Sequence, residues 1–138
     1  MDYNLFGRIM ELVHLDPFWG STRTSSHTNS IYYAVKHGKV LVHFAGDRLV
    51  GFCTYGFFTE KELEGDNWFG EEVYSRKTGD VLFFPKFQCR AGRREVIRFI
   101  RDIQGYLSES YPGVETAGGL RVYPEGRRRS ELWHRKIA

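Results

Sequence analysis

The stretch VLFFPKFQCRAGRREVIRFIRDIQGYL, residues 81–107, decides the fold. Val81 to Phe87 is continuously apolar apart from Pro85 and Lys86. That pattern predicts a strand covered on both faces. Pro85 has no backbone N–H, so the strand needs a bulge there, or a neighbour that splays away. Gln88 to Arg94 is a short polar loop containing Gly92. A helix follows. Val96, Ile100, Ile103 and Leu107 recur at helical spacing, and Phe99 broadens the stripe. Arg94, Arg98 and Arg101 fall on the opposite side or its edge.

Working outward, Tyr3 to Leu15 reads as a helix through Leu5, Ile9, Leu12 and Val13, closed by Asp16-Pro17. Gly20 to Ser30 is polar and reads as a loop. Asn29 or Ser30 then caps a helix from Ile31 to His37, which Gly38 stops. Val40–Phe44 and Leu49–Phe58 read as an antiparallel hairpin turning at Gly46-Asp47. Thr59 to Glu72 is an acidic loop or short helix, pinned to the core by Trp68-Phe69. Beyond Pro112-Gly113, Val114–Tyr123 and Ser130–Ile137 read as two last strands around the basic turn 124–129. The expected whole is a single α+β domain spanning 1–138, one mixed sheet with helices packed on it.

Composition bounds the function. The chain has 138 residues, of which 41% are hydrophobic and 16% aromatic, which suits one domain with one core. No apolar run approaches membrane-spanning length, and the first residues lack a basic-then-apolar signal pattern, so a cytoplasmic protein is expected. Cys53 and Cys89 read as one buried thiol each, with a single disulfide as the alternative that nothing requires, and no His/Cys spacing suggests a metal site. The net charge of +3 hides a split. Residues 1–75 carry −4 and residues 76–138 carry +7. The basic half suits phosphates, an acidic protein, or a solvated face. No clear nucleic-acid reading element or aromatic platform accompanies it, which argues against a nucleic-acid partner.

The central unit suggests chemistry of its own. Backbone N–H groups at a helix start, together with the helix dipole, bind anions. Gln88, Arg90, Gly92, Arg93 and Arg94 are the candidate cofactor-binding residues. Gly92 allows close approach and the arginines add charge. Strand–loop–helix units are common, and single arginines at helix starts are usually only solvated. As proton acceptors, His14, His27, His43 and Glu131 are the available side chains. His14 serves equally to close the first helix. Cys89 borders the loop and is the candidate nucleophile.

The order of elements resembles the GNAT (N-acetyltransferase) fold. More narrowly, four stretches resemble the bacterial toxin-activating lysine acyltransferases. These are Leu12 to Trp19, the strand Val50-Gly51-Phe52-Cys53-Thr54-Tyr55, the turn Lys77-Thr78-Gly79-Asp80 with the strand Val81 to Phe84, and Leu120-Arg121-Val122-Tyr123-Pro124 with Ser130-Glu131-Leu132. The resemblance implies a GNAT-like mixed sheet flanked by helices. It also implies transfer of an acyl group from an acyl carrier protein or coenzyme A thioester to an amine. Its partners would be an acyl carrier protein and a toxin. Residue by residue, the family's histidine slot holds Trp19 and its aspartate slot holds Lys86. The GNAT loop pattern is met only at Gln88 in one register, or at Gly92 in another. His14 and Tyr123 are then the catalytic candidates, Tyr123 as the acid that protonates the departing thiolate. A non-catalytic GNAT-like structural or interaction protein, such as a bacteriophage virion component, is the alternative.

Overall fold

The computed structural model describes residues 1–15, 25–64, 70–122 and 128–134. Helix α1 (Tyr3–Leu15) and helix α2 (Ser25–Lys36) lead into strands β1 (Val40–Ala45) and β2 (Arg48–Phe58). Two short helices follow, α3 (Glu60–Glu64) and α4 (Glu72–Ser75). Then come β3 (Val81–Cys89), α5 (Gly92–Ser110), β4 (Thr116–Val122) and β5 (Arg128–His134). The strands form one mixed sheet in the order β1-β2-β3-β4-β5, with β3–β4 as its parallel pair and the other pairs antiparallel.

Both faces of β2 and β3 are covered. Cys53, Tyr55 and Phe57 of β2 and Leu82 of β3 pack against Phe99, Ile103 and Leu107 of α5. Phe52 packs on the other face against Ile9, Leu12 and Val13 of α1 and Ile31 and Val35 of α2. Phe58, Val81 and Phe83 continue that layer with Ala34, Val73 and Tyr74. Val50 to Phe58 is buried throughout, as a strand between two helical layers must be.

The boundaries show where local reading stops. α1 has the bounds expected for it. α2 begins at Ser25, six residues before its expected start at Ile31, so Asn29 and Ser30 lie inside the helix. The buried positions His27, Ser30, Ile31 and Ala34 keep helical spacing. Two of them are polar, which hides the stripe from a reading based on apolar residues. Ser30 is therefore no cap, and its hydroxyl sits 2.6 Å from that of Tyr74. The start of α3 has reciprocal capping. Thr59 N–H donates to Glu62 Oε1 at 2.9 Å, and Glu62 N–H donates to Thr59 Oγ1 at 3.1 Å. α5 begins at Gly92, so Arg93 and Arg94 belong to its first turn rather than to a preceding loop. Ile100, assigned to the apolar stripe, is 41% exposed. The buried line runs through Phe99, Ile103 and Leu107, and Ile100 stands about 100° round the helix from Phe99. Trp68-Phe69 and the strand end at Tyr123 lie outside the described residues.

Candidate functional site

Pro85 is accommodated in both of the ways open to a proline in a covered strand. The β2–β3 register slips between Thr54 and Gly56, so that Thr54 pairs with Lys86 but Gly56 pairs with Phe83. Phe84 and Pro85 together therefore face Tyr55, which is a bulge on β3. On the other side, the parallel pairing with β4 covers Leu82, Phe83 and Phe84 against Ala117, Gly118 and Gly119, and ends there. Among the described residues, β3 runs on to Cys89 paired with β2, while β4 runs on to Val122 beside β5. The sheet opens between β3 and β4 immediately after Phe84.

That opened strand delivers the chain into the N-terminus of α5. Gly92 has φ +82°, a left-handed conformation that favours glycine, and a Cβ built there would meet nothing within 4 Å. Ala91, at the N-cap, supplies no side-chain acceptor. Gly92, Arg93 and Arg94 are all exposed. An uncapped helix start with two arginines in its first turn suits a phosphate.

The other two candidate cofactor residues are engaged elsewhere. Gln88 is buried and donates from Nε2 to the Leu12 carbonyl at 2.6 Å. Arg90 donates from its guanidinium to the Leu15 carbonyl, and its backbone N–H donates to Val50 O at 2.7 Å. Their side chains thus fasten the C-terminal turn of α1 to the end of β3. Only Gly92, Arg93 and Arg94 stand together at the helix start.

His14 lies exposed in the last turn of α1, and Tyr123 lies outside the described residues. His27 is buried in α2. Lys86 is 2% exposed and lies opposite Thr54 in the sheet. Cys89 has its thiol pushed up, first by burial and then by the nearby Glu95 carboxylate, with a backbone hydrogen bond from Ala91 opposing. That is the reverse of what activates a nucleophilic thiol.

Sequence reading left His43 without a partner. In the fold, His43 Nε2 is 2.6 Å from Glu95 Oε2, and its ring stacks on Phe99 at 5.3 Å between centroids. The two residues are 52 positions apart, and the only local hint was a histidine in an otherwise apolar strand. Among the described residues, no three His, Cys, Asp or Glu groups converge as a metal site, and no helix is long and apolar enough to cross a membrane.

No protein-family model and no curated protein matches the chain. Among solved structures it is similar to the loading GNATL domain of CurA from Lyngbya majuscula, with 14% sequence identity and a TM-score of 0.66. The match covers 87% of this chain but 63% of that one. At this identity the likeness concerns the fold. The chain has a GNAT-like mixed sheet flanked by helices, as expected. The likeness is to a GNAT-fold domain in general and carries nothing particular to toxin-activating acyltransferases.

Proposed function

We propose that the protein binds a phosphate-bearing acyl thioester, on coenzyme A or on the phosphopantetheine of an acyl carrier protein, and passes the acyl group to an amine. The observation that carries this reading is the opening of β3 from β4 after Phe84, which leads straight to the uncapped start of α5 at Gly92. Beyond Phe84 β3 no longer pairs with β4, and the parting of the two strands offers a place for a pantetheine arm to lie. Arg93 and Arg94 would then hold the phosphates with the α5 dipole. The amine would attack the thioester carbonyl directly. A C–N bond forms, the C–S bond breaks, and the departing thiolate takes up a proton, with Tyr123 as the candidate donor and His14 the candidate acceptor of the amine proton.

A second reading rests on its own observation. Gln88 and Arg90 spend their side chains on α1, and β3 presents a buried lysine rather than a carboxylate. These features favour a non-catalytic GNAT-like protein that docks to other proteins, a virion component among them. Titration calorimetry with coenzyme A, acetyl-coenzyme A and an acylated carrier protein separates the two. Micromolar binding that Arg93→Glu/Arg94→Glu abolishes supports the thioester reading. No heat with any of the three defeats it and leaves the docking role.

A further inference from the structure

Helix α5 packs on the sheet through Phe99, Ile103 and Leu107, and its outer face is not purely polar. Ile97 and Ile100 are 42% and 41% exposed there. With about 100° between successive residues, Ile100 stands about 60° to one side of Ile97, and Arg93 about 40° to the same side. Arg101 and Arg94 stand about 40° and about 60° to the other side. All three arginines are exposed. The carboxylates of the helix lie elsewhere. Glu109, Asp102 and Glu95 stand about 120°, about 140° and about 160° round from Ile97. Glu95 is turned to β1, where its Oε2 is 2.6 Å from His43 Nε2, and its Oε1 accepts from Arg98 at 3.1 Å. The outer face of α5 therefore carries apolar and cationic side chains, while the helix keeps its anions on another side.

The apolar ground continues onto the sheet. Phe99 stacks on His43 of β1 at an interplanar angle of 17°, and on Phe87 of β3 at 23°. Strand β2 separates those two strands, so the rings flank Phe99 from opposite sides. Phe87 thus lies on the flank of α5 away from Glu95, the flank that carries Val96 and Ile100. It is 40% exposed, at the place where β3 no longer pairs with β4. Isoleucines set among arginines gain by leaving water only where the guanidinium groups stay at a polar, anionic boundary. The surface of an anionic bilayer offers both, because apolar side chains enter the acyl boundary while cations remain at the level of the headgroup phosphates. A nucleic-acid backbone satisfies the arginines alone and leaves the isoleucines in water. A stable protein interface buries about 800 Å² on each side around an apolar centre. Here the apolar ground is one helical turn and one ring, and the grooves that adjoin His43 and Lys77 include none of the three residues.

We propose that the outer face of α5 is a docking surface for an anionic lipid bilayer, with Ile97, Ile100 and the flanking Phe87 as shallow apolar anchors and Arg93, Arg94 and Arg101 as headgroup contacts. The contact is peripheral, with the helix lying in the plane of the interface. It goes beyond the thioester reading and does not depend on it.

Co-sedimentation of the full chain with large unilamellar vesicles tests it, using phosphatidylcholine with about a quarter phosphatidylglycerol against phosphatidylcholine alone. Binding to the anionic vesicles should be about tenfold tighter or more, and should weaken as salt is raised. Ile97→Ser/Ile100→Ser keeps every charge and should weaken that binding about fivefold or more. No sedimentation with anionic vesicles overturns the proposal. So does an isoleucine variant that binds like wild type, which would leave only the general attraction of a basic chain. Tighter binding to duplex DNA than to the vesicles overturns it as well. Should the variant fail to fold, methyl NMR of the wild type decides alone. In anionic bicelles, a lipid with a gadolinium-bearing headgroup should broaden the δ1 methyls of Ile97 and Ile100 and spare those of Ile9 and Ile31, which are buried on the other face of the sheet. Equal broadening of all four, or none, overturns the proposal. The isoleucine pair lies outside the phosphate contacts, so coenzyme A titrated into the same variant reports on the thioester reading separately.

Discussion

Gln88 donates its side-chain amide to the backbone carbonyl of Leu12 across 76 positions of sequence, at 2.6 Å and out of contact with solvent. This bond ties the central strand to the last turn of α1 and satisfies a carbonyl that the helix end leaves without an intrahelical donor. Gln88→Ala removes the donor and leaves that carbonyl buried. It should cost about 1–3 kcal/mol in chemical denaturation. On the thioester reading, binding of coenzyme A should survive in the folded fraction, because the Gln88 amide is turned to α1. A variant of unchanged stability would mean that the bond contributes nothing.

Gly56 and Gly105 should respond to alanine in opposite ways. A Cβ on Gly56 would stand 2.6 Å from the Val73 carbonyl oxygen, and backbone atoms cannot step aside cheaply. Gly56→Ala should destabilise by about 2–3 kcal/mol. Gly105 lies exposed inside α5, and a Cβ there meets nothing within 4 Å. Gly105→Ala should stabilise by about 0.5–1 kcal/mol through helix propensity and a less flexible unfolded chain. Paired urea unfolding curves check both signs at once.

Alkaline pH should unfold the protein before its buried acids titrate. Burial pushes the Cys53 thiol up to about 12, with a backbone hydrogen bond from Leu41 opposing. Burial likewise pushes the Tyr74 hydroxyl up to about 12. The Tyr55 hydroxyl is pushed up by burial, then by its hydrogen bonds with Tyr106 and Tyr111. All three shifts are upward, so the unfolded chain ionises first. Their contribution is complete below the unfolded values of about 8.5–10 and is lost as pH rises towards the folded ones. Stability should therefore fall steadily above about pH 9. A thiol reagent at pH 8 should leave Cys53 unmodified until the protein unfolds. Rapid labelling of Cys53 in the native state would contradict the packing of β2.

Arg76 links α4 to the preceding elements. Its Nη1 is 2.5 Å from Glu62 Oε1 and also donates to the Phe57 carbonyl at 3.1 Å. The Glu62 carboxyl is held low, first by Arg76. A lowered carboxyl contributes stability above its unfolded value of about 4.3 and loses it as pH falls through the folded value. Arg76→Met should therefore flatten the loss of stability below about pH 4.5 relative to wild type, while leaving the profile at pH 6–8 parallel. An unchanged acid limb would remove this pair from the account.

Local pattern carried much of this architecture. The 3.6-residue period of Leu5, Ile9, Leu12 and Val13 sufficed for α1, and that of Val96, Ile100, Ile103 and Leu107 for the presence of α5, though the buried line runs through Phe99 rather than Ile100. The apolar run around Pro85 predicted a covered strand with a bulge or a splayed neighbour, and β3 has both. These features were legible because each is written within one turn or one strand. The early start of α2 was not, since its buried face includes His27 and Ser30.

The sequence by itself determined that residues 81–107 form a strand, a turn at glycine and a basic amphipathic helix, because backbone sterics and periodic burial act over a few residues. Only the tertiary structure decided what the side chains of that unit touch. It sent Gln88 and Arg90 to α1, set Glu95 against His43, and left Gly92, Arg93 and Arg94 together at the helix start. Those contacts join positions 50 to 80 residues apart or depend on where β4 leaves β3. Hydrogen-bond partners at such separations are chosen by the register and stacking of whole elements, which no local pattern records.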